Sequence, residues 1–242
     1  MYRIGIDVGG TFTDLVAVDD TGGVTFAKAP STPADQSVGV MDGLGRLAVA
    51  LNSDLASLLA QTTRIVHGTT VATNALLERK GAKVGLLTTE GHRDVLEMRE
   101  GLKPDRYNMR MARAEPLIPR DRRLGVRERI RPEGTVEVAL DPASVAAAVE
   151  VLKAKGCDSV AICYLHAYKD PAHEQATAAI VREQLPGAYV CLSSDVFPQI
   201  KEYERVSTTA VNAYVGPVLD RYLSRLEQRL QEAGYGGPGL II

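Results

Sequence analysis

Eight consecutive residues, Asp7-Val8-Gly9-Gly10-Thr11-Phe12-Thr13-Asp14, bring two carboxylates, two glycines and two hydroxyls into one short stretch. A short apolar run, Arg3 to Asp7, leads into them as a strand that ends in a carboxylate. Paired glycines let the backbone turn tightly and approach a ligand with no Cβ in the way. Successive amide N–H groups in such a turn form a concave nest for phosphate oxygens. Thr11 and Thr13 add hydroxyl donors, and a spacing of two places both on the same side of a strand. Asp7 and Asp14 repel phosphate directly. They fit such a site when Mg2+ lies between, with Asp7 as the metal-side carboxylate. The candidate catalytic residues are therefore Asp7 and Asp14, and the candidate phosphate-binding residues are Gly9, Gly10, Thr11 and Thr13. The chain has no GxxxxGK[ST], and a hairpin rather than a helix follows the glycines. The turn is thus neither a P-loop nor a dinucleotide fingerprint.

A second candidate is His67-Gly68-Thr69-Thr70-Val71-Ala72-Thr73-Asn74, a strand end running into a helix N-terminus. Free N–H groups at such a junction favour anions and carbonyl oxygens. Thr69 and Thr70 suit the cap position, and Thr70, Thr73 and Asn74 share one helical face. His67, Gly68, Thr69, Thr70, Thr73 and Asn74 are the expected substrate contacts, with a satisfied structural imidazole as the competing reading of His67. His92 lies near Glu90, Asp94 and Glu97, but helical spacing splits these residues between faces, which favours surface charge over a metal site. Glu202, Glu204 and Arg205 precede a long helix, where acidic residues complement the dipole. The functional alternative has Glu204 or Arg205 lining a cleft between lobes. Residues 101–123 lack periodicity and carry Arg106, Arg110, Arg113, Arg120, Arg122 and Arg123. They read as a long loop, with Arg106 and Arg110 able to close over an anion.

These residues need a frame. Leu15 to Asp19 and Val24 to Lys28 are strands joined at Asp20-Thr21-Gly22-Gly23, so the chain opens as an antiparallel meander. Asp35 to Leu51 has helical spacing. Strand–helix alternation follows: Arg64 to His67, then Thr69 to Arg79 with Gly81 as C-terminal cap, then Val84 to Leu87 and Gly91 to Met98. Leu124 to Ile130 and Thr135 to Leu140 read as a hairpin around Pro132-Glu133-Gly134. Asp141-Pro142 opens a helix. Ser159 to Tyr164 and Tyr189 to Leu192 are buried strands flanking the helix Pro171 to Gln184, as in a parallel α/β layer. Arg205 to Ala233 is a long helix, bent near Gly216-Pro217. An apolar strand begins at Gly239 where the sequence stops, which reads as a fragment or one piece of a split protein, against the alternative of a sheet-edge strand.

Composition narrows the class. The chain has 242 residues, 45% hydrophobic and 24% charged, values ordinary for a globular protein. A formal net charge of -2 gives no electrostatic reason to expect nucleic acid. No apolar run reaches the ~18 residues of a membrane span. Three cysteines without CxxC spacing argue against a disulfide framework. A cytoplasmic location is the expectation.

The first motif resembles the phosphate-binding motif of the actin/Hsp70/sugar-kinase ATPase superfamily. Its form Gly-Gly-Thr-Phe-Thr-Asp resembles the hydantoinase A/5-oxoprolinase family. Three further stretches carry the same resemblance: residues 67–78, then Thr88-Thr89-Glu90-Gly91-His92-Arg93-Asp94-Val95-Leu96-Glu97, then residues 207–215. The resemblance implies an actin-like (ribonuclease H-like) α/β lobe over 1–195 and the truncated opening of the family's main domain over 196–242. It implies ATP and Mg2+ as cofactors and ATP-dependent attack on a cyclic amide such as 5-oxoproline or a hydantoin. Related members are carboxylases of acetone or acetophenone, and an inactive fragment or assembly module is the non-enzyme alternative. The implied partners are the small-molecule substrate, the remaining C-terminal half and a hydantoinase B-type subunit. The superfamily's second phosphate and adenosine motifs are not found in the sequence, so half of the nucleotide site is expected elsewhere.

Overall fold

The computed structural model describes residues 1–101, 105, 107–112 and 115–241. Pro104, Arg106 and Arg113 of the basic stretch lie outside the described residues. In chain order the elements are β1 Tyr2–Val8, β2 Phe12–Asp19, β3 Val24–Pro30, α1 Gln36–Ala50, α2 Leu55–Ala60, β4 Thr62–Thr69 and α3 Val71–Leu77. Then follow β5 Val84–Thr89, α4 Val95–Met98, a 3-10 turn Arg120–Arg122, β6 Arg123–Val126, β7 Arg129–Ile130 and β8 Val136–Val138. The chain continues through α5 Pro142–Ala154, β9 Ser159–Cys163, α6 Ala172–Gln184, β10 Tyr189–Leu192, α7 Ser193–Val196, α8 Glu202–Glu232 and β11 Gly239–Ile241. Two compact units result: residues 1–80 with 218–242, and residues 81–217.

The first unit is built on a five-stranded sheet in the order β11-β4-β1-β2-β3. The meander β1-β2-β3 is antiparallel, whereas β4 runs parallel to β1, and β11 parallel to β4. This is the arrangement expected for an actin-like lobe. Period-2 alternation turns Ile4, Ile6, Val8, Leu15 and Ala17 to one face. There they meet Val40, Leu44 and Leu47 of α1, Leu58 and Leu59 of α2, and Tyr222, Leu226 and Leu230 of α8. Each such leucine contributes roughly 1.5–3 kcal/mol of burial. Asp35 caps α1, accepting from the Ser37 amide at 3.2 Å and the Ser37 hydroxyl at 2.6 Å.

The second unit holds an all-parallel sheet in the order β10-β9-β5-β6. Every residue of β5 and β9 is buried, which explains their continuous apolar sequence. Asp141 caps α5 by accepting from the Ala143 amide, and Pro142 occupies its first turn. Three sequence-based expectations change here. The hairpin spans only β7 and β8, because residues 123–126 pair in parallel with β5 instead. The long loop ends earlier than 123, at the 3-10 turn. Gly81 does not cap α3: Arg79 takes the left-handed conformation there, with φ 55°. Gly81 is small because a Cβ would sit 2.3 Å from the ring of Tyr214.

Helix α8 is assigned continuously through Pro217. Proline lacks the N–H that would bond the carbonyl four residues back. That carbonyl, of Ala213, instead accepts the Ser159 hydroxyl at 2.7 Å, and the next one, of Tyr214, accepts the Ala82 amide at 2.9 Å. Among the described residues no helix is long and apolar enough to cross a membrane. We expect Gly81→Ala to destabilise the protein by about 1–3 kcal/mol through overpacking against Tyr214. The shift in urea midpoint measures it, and an unchanged midpoint would show that the ring yields freely.

Candidate functional site

Because β1 and β4 are parallel and in register, Asp7 pairs with Gly68 and Val8 with Thr69. The glycine turn after β1 and the loop after β4 therefore emerge side by side. The Thr70 hydroxyl donates to the Val8 carbonyl at 3.4 Å and joins them. Across the other edge of β1, Asp7 stands directly opposite Asp14. A Cβ at Gly68 would lie 3.8 Å from Asp7 Oδ1, an ordinary contact distance, so the two positions are close neighbours. Asp14 pairs with Lys28 at 2.8 Å, and both are exposed, so the bond adds at most about 1 kcal/mol.

The turn itself is tight. The Gly9 amide donates to the Phe12 carbonyl at 3.0 Å, and a Cβ on Gly9 would approach that same oxygen to 3.1 Å. A Cβ on Gly10 would meet nothing within 4 Å. Ser31, which the motif reading missed, braces the turn. Its amide donates to the Thr11 carbonyl at 2.9 Å and its hydroxyl to the Gly9 carbonyl at 2.7 Å. With that proton committed, the Thr13 hydroxyl 3.2 Å away is the donor to Ser31 Oγ. Thr13 is 0% exposed. It therefore supports the turn from within, and only Thr11 of the two threonines is exposed. The expectation that both hydroxyls share one face fails because Thr11 precedes the first residue of β2.

In the second loop, Thr69 Oγ1 accepts from the Val71 amide at 3.2 Å. Thr70 holds the cap position of α3, and its hydroxyl oxygen accepts from Asn74 Nδ2 at 3.3 Å. Thr73 is exposed. A cleft of about 530 Å³ opens beside the turn, lined by Gly10, Asp35, Asn74, Glu78, Tyr222 and Arg225 among others. It thus joins the glycine turn and the second loop, the two places singled out in sequence.

His67 departs from its expected role as a substrate contact. It is 2% exposed, on the face opposite Asp7, and its Nε2 lies 2.6 Å from the Tyr222 hydroxyl. Burial holds its pKa below the ordinary 6.5. Arg205 is enclosed as well, donating to the Tyr164 carbonyl at 2.7 Å and to Ser193 Oγ at 3.0 Å, so it cannot line an open cleft. Glu204 pairs with Lys201 at 3.0 Å. Three loop arginines serve the fold: Arg120 bonds Asp94 twice, Arg122 bonds the Val84 carbonyl, and buried Arg123 pairs with Glu97. Arg110 is exposed. His92 meets Arg129 at 3.2 Å. Among the described residues no three His, Cys, Asp or Glu side chains group to hold a metal.

Because the folded state disfavours protonated His67, stability is complete above pH 6.5 and falls as pH drops below it toward the lowered folded value. We expect urea midpoints of the wild type to fall between pH 7.5 and pH 5, and His67→Gln to show a smaller fall. An equal fall in both proteins would remove His67 as the source.

Residues 3–185 match the family described as hydantoinase/oxoprolinase N-terminal region. The caprolactamase alpha subunit of Pseudomonas jessenii is 44% identical, over 98% of this chain and 34% of its own length. The crystal structure of that organism's ATP-dependent caprolactamase superposes with a TM-score of 0.90 at 43% identity, over 99% of this chain and 35% of the other. A nucleotide-free acetone carboxylase structure gives 0.87 at 29% identity, over 97% and 35%. The 5-oxoprolinase of Saccharomyces cerevisiae is 31% identical, over 96% of this chain and 20% of its own length. The chain thus spans about a third or less of these relatives' length. It belongs to the hydantoinase/oxoprolinase N-terminal family.

Proposed function

We propose that this family member supplies the phosphate-binding part of an enzyme that uses ATP to open a cyclic amide. The observation carrying the reading is that the glycine turn, the Asp7–Asp14 pair and the loop after β4 emerge together at the ends of β1 and β4, with Gly10 and Asn74 on the wall of the 530 Å³ cleft. A lactam amide is resonance-stabilised, so water attacks it slowly. Transfer of the γ-phosphoryl group forms a bond to the amide oxygen and breaks the bond to ADP. Water then adds to the activated carbon, the C–N bond breaks, and a second water releases phosphate from the resulting acyl phosphate. Positioning and charge neutralisation dominate such catalysis.

In this reading the Gly10 amide and the Thr11 hydroxyl hold phosphate oxygens, while the Gly9 amide, expected from sequence to join them, is committed to the Phe12 carbonyl and shapes the turn together with Thr13 and Ser31. Asp7 and Asp14 hold Mg2+, which when bound neutralises phosphate charge. Two opposed carboxylates suit an ion that keeps several waters and phosphate ligands rather than a closed protein cage. The cleft receives the lactam, with Gly68, Thr69, Thr70, Thr73 and Asn74 at its approach and His67 supporting from behind. Residues 1–195 form the N-terminal domain and 196–242 open the main domain. The rest of the nucleotide site comes from the remaining C-terminal half, and a hydantoinase B-type subunit is the partner. ATP supply and the unpaired state of Cys157, Cys163 and Cys191 fit the cytoplasm. The likeness to acetone carboxylase supports a second reading, an ATP-binding carboxylase subunit.

ATP hydrolysis by the full-length protein with 5-oxoproline, a hydantoin, caprolactam, or acetone plus bicarbonate separates the two. Stimulation by the ketone alone would favour the carboxylase. We expect Asp7→Asn to lower lactam-dependent turnover by about 10³-fold or more with an unchanged unfolding midpoint; wild-type turnover would remove Asp7 from the site. Gly10→Val should leave stability intact, since its side chain enters open space, and weaken ATP binding at least about tenfold. Calorimetric titration with MgATP measures it, and unchanged affinity would place the phosphates elsewhere.

A further inference from the structure

We propose that Tyr222 determines specificity in the cleft. Its one phenolic proton is committed to His67, so its oxygen can only accept, and the cleft selects ligands that present an N–H or O–H there. The inference rests on the reading of the cleft as a lactam site, where that donor is the unsubstituted lactam N–H. An acceptor on the N–H also shifts electron density toward the amide oxygen, the atom to be phosphorylated.

The argument begins at His67. Burial keeps its imidazole neutral, so the ring has one N–H and one lone pair. Nδ1 is buried without a hydrogen-bond partner, and the Ile6 backbone, on the residue paired with His67 on β1, acts on the ring in the sense that favours a proton. With Nε2 held by Tyr222, Nδ1 is the nitrogen left to the Ile6 backbone, and a backbone carbonyl calls for the hydrogen on it. Nε2 is then the lone pair, and the Tyr222 hydroxyl at 2.6 Å must donate to it. Burial and the nearby Asp35 charge raise the Tyr222 pKa, so the phenol stays protonated. Tyr222 also lines the cleft. With its proton committed inward, a phenolic lone pair is what it can offer a ligand. On the other side, His67 lines a second cavity of about 320 Å³, walled by Ile65, Leu223, Leu226 and Leu230. The pair therefore stands between the two cavities, Tyr222 on the first and His67 on the second.

Two measurements on the full-length enzyme test this. Long-range 1H–15N correlation of the imidazole is expected to show His67 in the Nδ1–H form; an Nε2–H form would overturn the proposal. Binding of 5-oxoproline and caprolactam is then compared with that of the lactones of the same rings, which replace N–H by oxygen without added bulk. The wild type is expected to prefer each lactam at least tenfold. Tyr222→Phe should reduce that preference to near unity, as should His67→Leu, which keeps the phenol but frees its proton. Unfolding midpoints verify that both variants are folded, and if one is not, the other decides. A preference unchanged in the folded variants overturns the role of Tyr222 while leaving the lactam reading standing. Failure of the wild type to bind any lactam overturns that reading, and the proposal with it.

Discussion

The parallel, in-register pairing of β1 with β4 is the constraint from which the rest follows. A parallel partner puts both carboxyl ends at the same edge of the sheet, and loops that follow parallel strands are where α/β proteins gather their ligands. Were β4 antiparallel, residues 68–74 would lie at the far edge, a strand's length from Asp7. The pairing also decides which side chains share a face. Asp7 and Gly68 stand on one face, whereas Ile6 and His67 point into the other, against α1 and α8.

That division sorts the polar groups by cost. Asp7 and Asp14 stay in water, where the exposed pairing of Asp14 with Lys28 costs little to exchange for another cation. His67, Thr13 and Ser31 lie at or near the core, where each polar atom must find an internal partner or be costly. Their hydrogen bonds are consequently directional: Thr13 donates to Ser31 and Ser31 to Gly9. Rigidity of the turn comes from this buried chain, while its exposed amides remain free of side chains.

Much of this frame was legible in sequence. The meander, the helix over Asp35 to Leu51, the Asp141-Pro142 start and the buried strands β9 and β10 all rest on local periodicity, apolar runs or turn chemistry. The misreadings share one cause. His67 depends on Tyr222, 155 positions away, and no local pattern reveals that partner. Gly81 resembles a helix cap until Tyr214 is placed beside it. Residues 124–126 alternate as half of a hairpin would, but their partner is β5. Arginines 120, 122 and 123 read as part of a long loop because Asp94, the Val84 carbonyl and Glu97 are distant in the chain. Ser31 lies outside the eight-residue motif, and its bonds to Gly9, Thr11 and Thr13 appear only once β3 is laid beside β2.

The proline inside α8 has a consequence for how this architecture can change over evolution. Beside it, where the Ala213 carbonyl left without a donor takes the Ser159 hydroxyl, the entry and exit of the segment 81–217 bond to each other, the Ala82 amide to the Tyr214 carbonyl at 2.9 Å. A module whose two ends are fastened together is topologically a bead on a loop. Its interior can be lengthened, shortened or exchanged while the host sheet keeps its strand order and its spacing, so one frame can be paired with many different inserts.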